Sequence, residues 1–476
     1  MKRILKICSV MMLVIITSCD DFLDVEPVDE LSSDVVFESE NDFFIALNGA
    51  YNSLQQQDYY GGDFMIIADA SSDNGIIPAD AETSRSPQFY QLNLSPAISA
   101  IGFWDEAYQA INRVNNVLEQ LDGAGFPQAS IDRIRGEALF IRAISHFDLT
   151  RIFAQDYNFT TDNTNLGVPI ITSTEVGTPA RNTIAEVYEF ILDELRESAS
   201  LLRDNDRLSN INVSFLANSE AAIALKARVF LYQSNYDSAL DNADQIINSG
   251  KYSLVDYLVD DGSGGFDLAQ INGWSDPSPT SEAILEFEVD RNDDGYPGLA
   301  GLAGYYQKGA GNAVFGPNLD IVNLYEANDV RNNWYVQDAG IWHVNKYPGQ
   351  GDVPLQYTSP AIRLTEMYLI KAECEARLND EVEARTAINA IRQRANVSDI
   401  ASSGQTLLAD ILEERRRELA FEGHRYFDLK RLQQDIVRND CSLTENCVVL
   451  YGDKFFAYPI PIEETAVNPN ILQEGY

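Results

Sequence analysis

The chain has 476 residues, of which 45% are hydrophobic, so a sizeable folded core is expected. Its 34 basic and 73 acidic residues give a formal net charge of −39. Nucleic-acid phosphates need a basic surface, so this balance argues against a nucleic-acid partner. It also disfavours anionic membranes and, less firmly, strongly anionic ligands, since a local basic pocket can override a global field.

The N-terminus carries signals for export and attachment. Basic residues precede an apolar run at 7–16, which is too short to span a bilayer permanently and is typical of a cleaved signal peptide. The sequence Ile-Thr-Ser-Cys at 16–19 resembles a bacterial lipobox, whereas a plain secretory signal with an incidental cysteine is the alternative. The prediction has three parts: a lipoprotein signal peptide at 1–18, a Cys19 whose lipid chains attach the protein to a membrane, and a polar tether at 19–40.

Apolar residues at helical spacing predict four helices in the first two hundred residues. Asn182 or Thr183 is placed to cap the fourth helix. Residues 58–103 interrupt the pattern with Gly, Ser, Asn, Asp and Pro, yet they keep several aromatic side chains. A long insertion of this kind is where folds commonly place function. The four predicted helices span 41–57, 104–121, 131–154 and 182–202.

Residues 221–252 predict two amphipathic helices joined by a short turn. Ala227 and Ala239 stand twelve residues apart, as in a tetratricopeptide repeat, where small residues allow two helices to approach closely. The same spacing recurs at 368–392. One hairpin cannot bury its apolar face alone, so several must stack, which favours a repeat scaffold over an ordinary helical bundle.

Residues 253–360 form a second insertion, rich in Gly and aromatic residues, for which short strands such as 282–289 are predicted. Residues 290–295 begin like a calcium-binding EF-hand loop. The twelfth position is Gly301 where a bidentate Glu is required, so an Asx-rich turn is favoured over a calcium site. One or two further helices are predicted within 406–435, before an extended Pro-rich tail.

Catalytic motifs are missing from the sequence. The chain has three His and contains no HExxH, GxSxG, P-loop or GxGxxG pattern, so we expect no enzyme activity, cofactor or metal. Cys374 lies on the inward face of a repeat helix and is expected to be a small buried residue. Cys441 and Cys447 flank five residues in an exported protein, which leaves a short-loop disulfide and two free thiols both open.

Several motifs together identify a family. The clearest is ILEERRRELAFEGHRYFDLKR at 411–431, supported by 137–143, 363–373 and the Pro-rich ending. Through these motifs the chain resembles the SusD/RagB outer-membrane lipoproteins of the Bacteroidetes. Within the first motif, Arg415 to Arg417 are surrounded by glutamates, so ion pairs along the helix are favoured over an anion site.

The resemblance implies a mainly α fold, in which tetratricopeptide-like hairpins form a right-handed superhelical scaffold. Residues 41–476 would form one such domain, with the insertions carrying a nutrient-binding face. The implied partner is a SusC-like TonB-dependent transporter, to which the protein delivers oligosaccharide. Asp20 and Asp21 resemble the acidic signal that sends lipoproteins of this phylum to the outside of the outer membrane.

Carbohydrate binding needs flat aromatic platforms with polar groups beside them for the hydroxyls. Both insertions supply these types, and the Asp-Asn-Gly at 73–75 resembles a family motif that precedes a binding loop. A peptide-binding member of the same family and a repeat scaffold without ligand are the alternatives. The candidate glycan-binding residues are Asp73, Asn74, Arg85, Phe89, Tyr90, Trp274, Tyr296, Tyr305, Tyr306, Arg331, Trp334 and Trp342.

Overall fold

The structure is a computed structural model that divides into two units, Met1–Phe44 and Ile45–Tyr476. In the first unit the rings of Phe37 and Phe43 pack with centroids 4.7 Å apart. The predicted signal peptide, Cys19 and most of the predicted tether lie outside the described residues. The described residues are 37–79, 81, 85–203, 213–263, 265–267, 280–289, 297–307, 314–347, 355–439, 441, 443–473 and 475.

Helices dominate these residues, and none of the helices described is long and apolar enough to cross a membrane. The helices are α1 (Glu40–Gln55), α2 (Asp63–Ala70), α3 (Pro87–Gln91), α4 (Ile101–Leu121), α5 (Gln128–Phe153), α6 (Ile184–Leu201), α7 (Ser219–Tyr232), α8 (Tyr236–Ile247), α9 (Leu302–Tyr306), α10 (Leu319–Val322), α11 (Leu364–Arg377), α12 (Glu381–Arg394), α13 (Gly404–Glu418), α14 (Arg425–Arg431) and α15 (Ile462–Val467).

The strands are short and pair two by two, always antiparallel. The pair β2–β6 lies in the core, whereas β4 and β5 form a hairpin whose turn is exposed. The strands are β1 (Gly75–Ile76), β2 (Ala283–Val289), β3 (Gly316–Pro317), β4 (Tyr335–Asp338), β5 (Ile341–Val344), β6 (Tyr357–Arg363), β7 (Ile436–Val437) and β8 (Val448–Val449), paired as β1–β3, β2–β6, β4–β5 and β7–β8.

The long helices form one continuous stack. From α4 to α8 each helix packs against the next, α8 then packs against α11, and α11 to α13 complete the series. The second insertion therefore interrupts the sequence but not the stack. This arrangement confirms the predicted mainly α scaffold of tetratricopeptide-like hairpins.

Two predicted hairpins are the clearest parts of the stack. Ala227 of α7 and Ala239 of α8 are fully buried, as are Ala372 of α11 and Ala384 of α12, so small residues lie at both close approaches. The prediction from their twelve-residue spacing is confirmed.

The predicted cap of α6 is also present, because the Thr183 hydroxyl accepts from the Glu186 amide while the Glu186 carboxylate accepts from the Thr183 amide.

Candidate functional site

Asp69 holds the first insertion against the turn between α13 and α14. Asp69, in the last turn of α2, accepts hydrogen bonds from the backbone amides of Phe421 and Gly423, each at 3.1 Å. Burial raises the pKa of Asp69 to about 6, although these donors and Asn74 oppose that shift. Gly423 has a φ of +77°, and a Cβ there would lie 2.8 Å from the Met65 sulfur, so α2 approaches where only glycine fits.

The Asp-Asn-Gly motif continues the same attachment. The Asp73 carboxylate accepts two hydrogen bonds from Arg425, from Nε at 2.7 Å and from Nη2 at 2.8 Å. Arg416 donates to the Asn74 side-chain oxygen at 2.8 Å and to the Asp73 carbonyl at 3.0 Å. Both motif side chains are buried. They therefore position the insertion and do not present polar groups to a ligand, which corrects the prediction for Asp73 and Asn74.

The prediction for the arginine run is also partly wrong. Arg417 pairs along the helix with Glu413 and Glu414, as predicted. Arg416 instead reaches the Asp-Asn-Gly motif of the first insertion. Arg415 instead pairs with Asp428 of α14 at 2.9 Å. Arg417 also donates to the Leu324 carbonyl at 2.8 Å, so all three arginines hold separate parts of the chain together.

The Asp-Asn-Gly motif is followed by β1, which is connected through β3 to the β4–β5 hairpin. Gly75 pairs with Pro317 and Ile76 with Gly316, which places β3 beside β1. Strand β3 contacts β5, and a Cβ on Gly316 would lie 2.8 Å from the Trp342 carbonyl oxygen. The β4–β5 hairpin therefore packs closely on β3. Trp342 lies on this hairpin and is partly exposed, beside the exposed Gln337 that faces it across the strands.

Arg85 of the first insertion binds residues of the second insertion. Its guanidinium lies 4.6 Å from the centre of the Tyr305 ring and donates to the carbonyl oxygens of Leu299 and Gly304. The Tyr305 hydroxyl donates in turn to Asp63 at 3.1 Å. Burial raises the pKa of Asp63 to about 7, with a smaller contribution from a second carboxylate. Arg85 is partly exposed, but its donors are directed into the protein.

The other aromatic candidates of the first insertion and of α9 belong to the core. Phe89, Tyr90, Tyr305 and Tyr306 are each at most 2% exposed. The Arg438 guanidinium covers the Tyr90 ring at 4.7 Å and donates to the Tyr90 carbonyl at 2.7 Å. With no ring face open to solvent, these four side chains cannot contact a glycan, and the prediction for them is corrected.

Arg331 and Trp334 are also interior residues, which corrects the prediction for them. Arg331 is fully buried and binds three carboxylates, those of Asp329, Glu414 and Glu418, at 2.7 to 2.8 Å. Trp334 is 1% exposed, and the Lys346 ammonium lies 3.7 Å from the centre of its ring. A donor with three anionic partners and a ring covered by a cation have nothing left to offer a sugar.

Glu418 is the centre of this buried ion network. Its two carboxylate oxygens accept from Arg394 at 2.6 Å, from Arg331 at 2.8 Å and from Arg363 at 3.0 Å. Burial by itself would raise the pKa of Glu418, but the surrounding cations hold it well below its ordinary value. The network joins α12, α13, β6 and the segment before β4.

Among the candidates that the structure describes, Trp342 is the partly exposed aromatic residue, and the other aromatic residues are buried. Trp274 and Tyr296 lie outside the described residues, as does most of the EF-hand-like segment.

Sequence reasoning missed Asp69, Arg416 and Arg425 as the residues that position the site. The charge of Asp69 within the apolar, buried run of α2 was the available signal. Among the described residues no group of His, Cys, Asp or Glu is arranged to hold a metal ion.

The cysteines are placed as follows. Cys441 and Cys447 form a disulfide just before β8. Cys374 is buried in α11 as a free thiol. Neither location adds a nucleophile to the insertion face.

Comparison with known proteins decides the family. Residues 343–476 match a family model described as "SusD family", and residues 21–231 match one described as "Starch-binding associating with outer membrane". The chain belongs to the SusD family. The family resemblance of 411–431 is thereby confirmed, and membership supports a carbohydrate-binding, non-catalytic role and association with the outer membrane.

Relatives cover nearly the whole chain. The SusD-like protein P38 of Formosa agariphila is 23% identical, over 89% of this chain and 90% of the relative. A SusD superfamily crystal structure from Bacteroides vulgatus has a TM-score of 0.80 at 26% identity and covers 92% of this chain and all of its own. Another from Bacteroides thetaiotaomicron has a TM-score of 0.81 at 27% identity, with the same coverage.

Proposed function

We propose that this SusD-family protein captures oligosaccharide nutrient without catalysis and delivers it to a SusC-like TonB-dependent transporter. Lipid chains on Cys19 hold it to the outer membrane, and the protein is exposed on the cell surface. Family membership supports the ligand class, and the lipobox-like sequence supports the anchor.

The observation that carries the proposal is the partly exposed side chain of Trp342. It lies on a hairpin that is held by β3 and by the Asp-Asn-Gly attachment, so the ring is presented at a fixed position. An aromatic face packs on the C–H face of a sugar ring, and the Gln337 amide beside it can donate to and accept from hydroxyls. A preorganised platform loses little entropy on binding.

Calorimetric titration of the purified chain tests the proposal. The panel comprises neutral glucans, fructans, anionic marine polysaccharides and mixed peptides. Saturable binding to one glycan class is the expected result, and it identifies the substrate. Binding to peptides alone favours the peptide-binding alternative, and silence throughout contradicts nutrient capture.

A pair of variants locates the site. Trp342→Ala removes the platform, so we expect affinity for the active glycan to fall about tenfold. Val448→Ala is the matched control, because it truncates an exposed apolar side chain on another short hairpin. Unchanged affinity in Trp342→Ala would remove the hairpin from the site.

A further inference from the structure

A cavity beside α4 is lined by other residues than the proposed glycan site on the β4–β5 hairpin. Its volume is about 450 Å³, and it is an open cleft bordered by the exposed side of α4, the segment 169–179 and the start of α15. Small-ligand sites commonly measure about 300 to 1,000 Å³. None of the residues that line it positions the β4–β5 hairpin. We propose that this cavity is a second carbohydrate-binding site, specific for neutral oligosaccharide, an inference that rests on the proposed function for its ligand class.

The aromatic part of the cavity is fixed by its neighbours. The rings of Trp104 and Tyr108 lie 4.8 Å apart, and the Trp104 ring meets the Phe153 ring edge-on at 4.9 Å. The Tyr108 hydroxyl donates to the Pro169 carbonyl at 3.0 Å. Trp104 is largely buried and Tyr108 partly exposed, so the tyrosine supplies most of the accessible ring. Both are already held in place, so a sugar would order neither ring.

The polar part of the cavity follows from helical spacing. Asp105, Gln109 and Asn112 occupy positions i, i+4 and i+7 of α4, which places them in one exposed stripe beside the aromatic pair. Amides donate and accept, whereas a carboxylate accepts from hydroxyls. The stripe thus matches a row of sugar hydroxyls, each of which is both donor and acceptor.

The opposite wall is supplied by α15. Glu464 lines the cavity from this helix, whose first residue, Ile462, donates its amide to the Pro96 carbonyl at 2.8 Å. This hydrogen bond joins α15 to the segment just before α4. Both sides of the cavity are therefore attached to each other through the backbone.

Charge decides between neutral and acidic glycans. The charged side chains that line the cavity, Asp105 and Glu464, are both acidic. Burial, and then Glu463, Asp58 and Glu464, raise the pKa of Asp105, so carboxylates already crowd one another there. A further anion would add to this repulsion, whereas hydroxyl donors relieve it.

Fluorine NMR on the chain labelled with 5-fluorotryptophan distinguishes the two sites. The sequence has four Trp, and single Trp→Phe variants assign their resonances. With maltoheptaose and cellohexaose as neutral probes, we expect the Trp104 resonance to shift and to saturate independently of Trp342. Trp334 is buried elsewhere and is expected to stay constant. Oligogalacturonate, an anionic probe, is expected to leave Trp104 unmoved.

The four outcomes separate the two ideas. A shift at Trp104 that saturates independently supports the second site. A shift at Trp342 alone overturns this inference and leaves the proposed function standing. A shift at Trp104 alone removes the hairpin from the proposed function but keeps the second site, and no shift with any glycan overturns both.

Variants on α4 provide an orthogonal test. The double variant Gln109→Ala with Asn112→Ala is expected to weaken the Trp104-detected binding about tenfold and to leave the Trp342-detected binding unchanged. Gln120→Ala, on the same helix but outside the cavity, is the matched control. Equal affinity in the double variant and the control would contradict the assignment.

Discussion

Arg425 and Asp73 lie 352 residues apart in the sequence, yet the guanidinium donates to both carboxylate oxygens, at 2.7 and 2.8 Å. Paired, charge-assisted hydrogen bonds of this kind fix both distance and orientation. Burial opposes ionisation of Asp73, but Arg425 and Arg416 together hold its pKa below the ordinary value. The first insertion is therefore attached to the C-terminal part of the chain by an ion pair.

Asp73→Asn tests this attachment. The change preserves size but leaves a buried guanidinium without its anion, so we expect the free energy of unfolding to fall by about 3 kcal/mol at neutral pH. Because the folded pKa is lowered, the contribution is present above the ordinary aspartate pKa and is lost as pH falls through the folded value. Urea denaturation between neutral and acidic pH measures both effects.

Asp193→Asn is the control for that variant. Its partner Arg196 is largely exposed, as is Asp193 itself, so the loss is expected to stay below about 1 kcal/mol. Equal losses in the two variants would contradict an anchoring role for Asp73.

Two tryptophans of one segment are expected to respond in opposite ways. Trp334→Ala empties a buried site beneath the Lys346 ammonium, so we expect a loss of about 3 to 5 kcal/mol in the free energy of unfolding. Trp342→Ala truncates a partly exposed ring and is expected to lower glycan affinity with little loss of stability. Thermal melting beside calorimetry distinguishes them, and a stable Trp334→Ala would contradict the interior placement.

Glu286 predicts a loss of stability on the alkaline side. Burial in β2 raises its pKa to about 8, with a smaller contribution from Glu288 and opposition from Thr358 and Ser214. Since the folded pKa lies above the unfolded one, the native state is favoured at low pH and loses stability as pH rises from about 4.5 to about 8. We expect Glu286→Gln to flatten the pH profile over this window.

Chemical denaturation of both proteins at pH values spanning that window checks the prediction. The variant is expected to gain stability relative to the natural protein by roughly 2 to 4 kcal/mol at the alkaline end. A difference that does not change with pH would show that Glu286 titrates normally.

Glu418 predicts the opposite behaviour on the acid side. Its lowered pKa means that the network contributes stability at neutral pH and loses it as pH falls below about 4.5. Glu418→Gln leaves Arg394, Arg331 and Arg363 without their shared anion, so we expect a loss of more than about 3 kcal/mol. Where the variant is too unstable to purify, the acid midpoint of the natural protein provides the measurement.

Glu413→Gln is the control for Glu418, because it lies on the same helix and is half exposed. It pairs with Arg417 at the surface, so a loss below about 1 kcal/mol is expected. Comparable effects of the two variants would contradict the central position of Glu418.

The stack was predictable from sequence because its signal is local. The spacing of Ala227 and Ala239 describes two helices a few residues apart, and the same holds for Thr183 and Glu186 in the capping box. Each pattern is complete within one short window. No distant part of the chain is needed to interpret it.

The site was not predictable in the same way. The interior position of Trp334 depends on Lys346, which covers its ring, and on the Glu418 network, which includes residues of α12 and β6. These contacts are distant in sequence, so the pattern of residues within the insertion does not predict them. Aromatic composition correctly indicated insertions that differ from the scaffold. Composition could not distinguish an aromatic ring that packs in the interior beneath a loop from one that faces solvent. Most of the aromatic candidates pack in the interior.

The backbone donors that Phe421 and Gly423 give to Asp69 also impose an order of assembly. While the chain is being made and exported, helices of the stack can form hairpin by hairpin, since each needs its neighbour alone. The Asp69 carboxylate lacks these two backbone donors until more than 350 later residues have followed it. We therefore expect the attachment of the first insertion through Asp69 to form after the hairpins of the stack have formed.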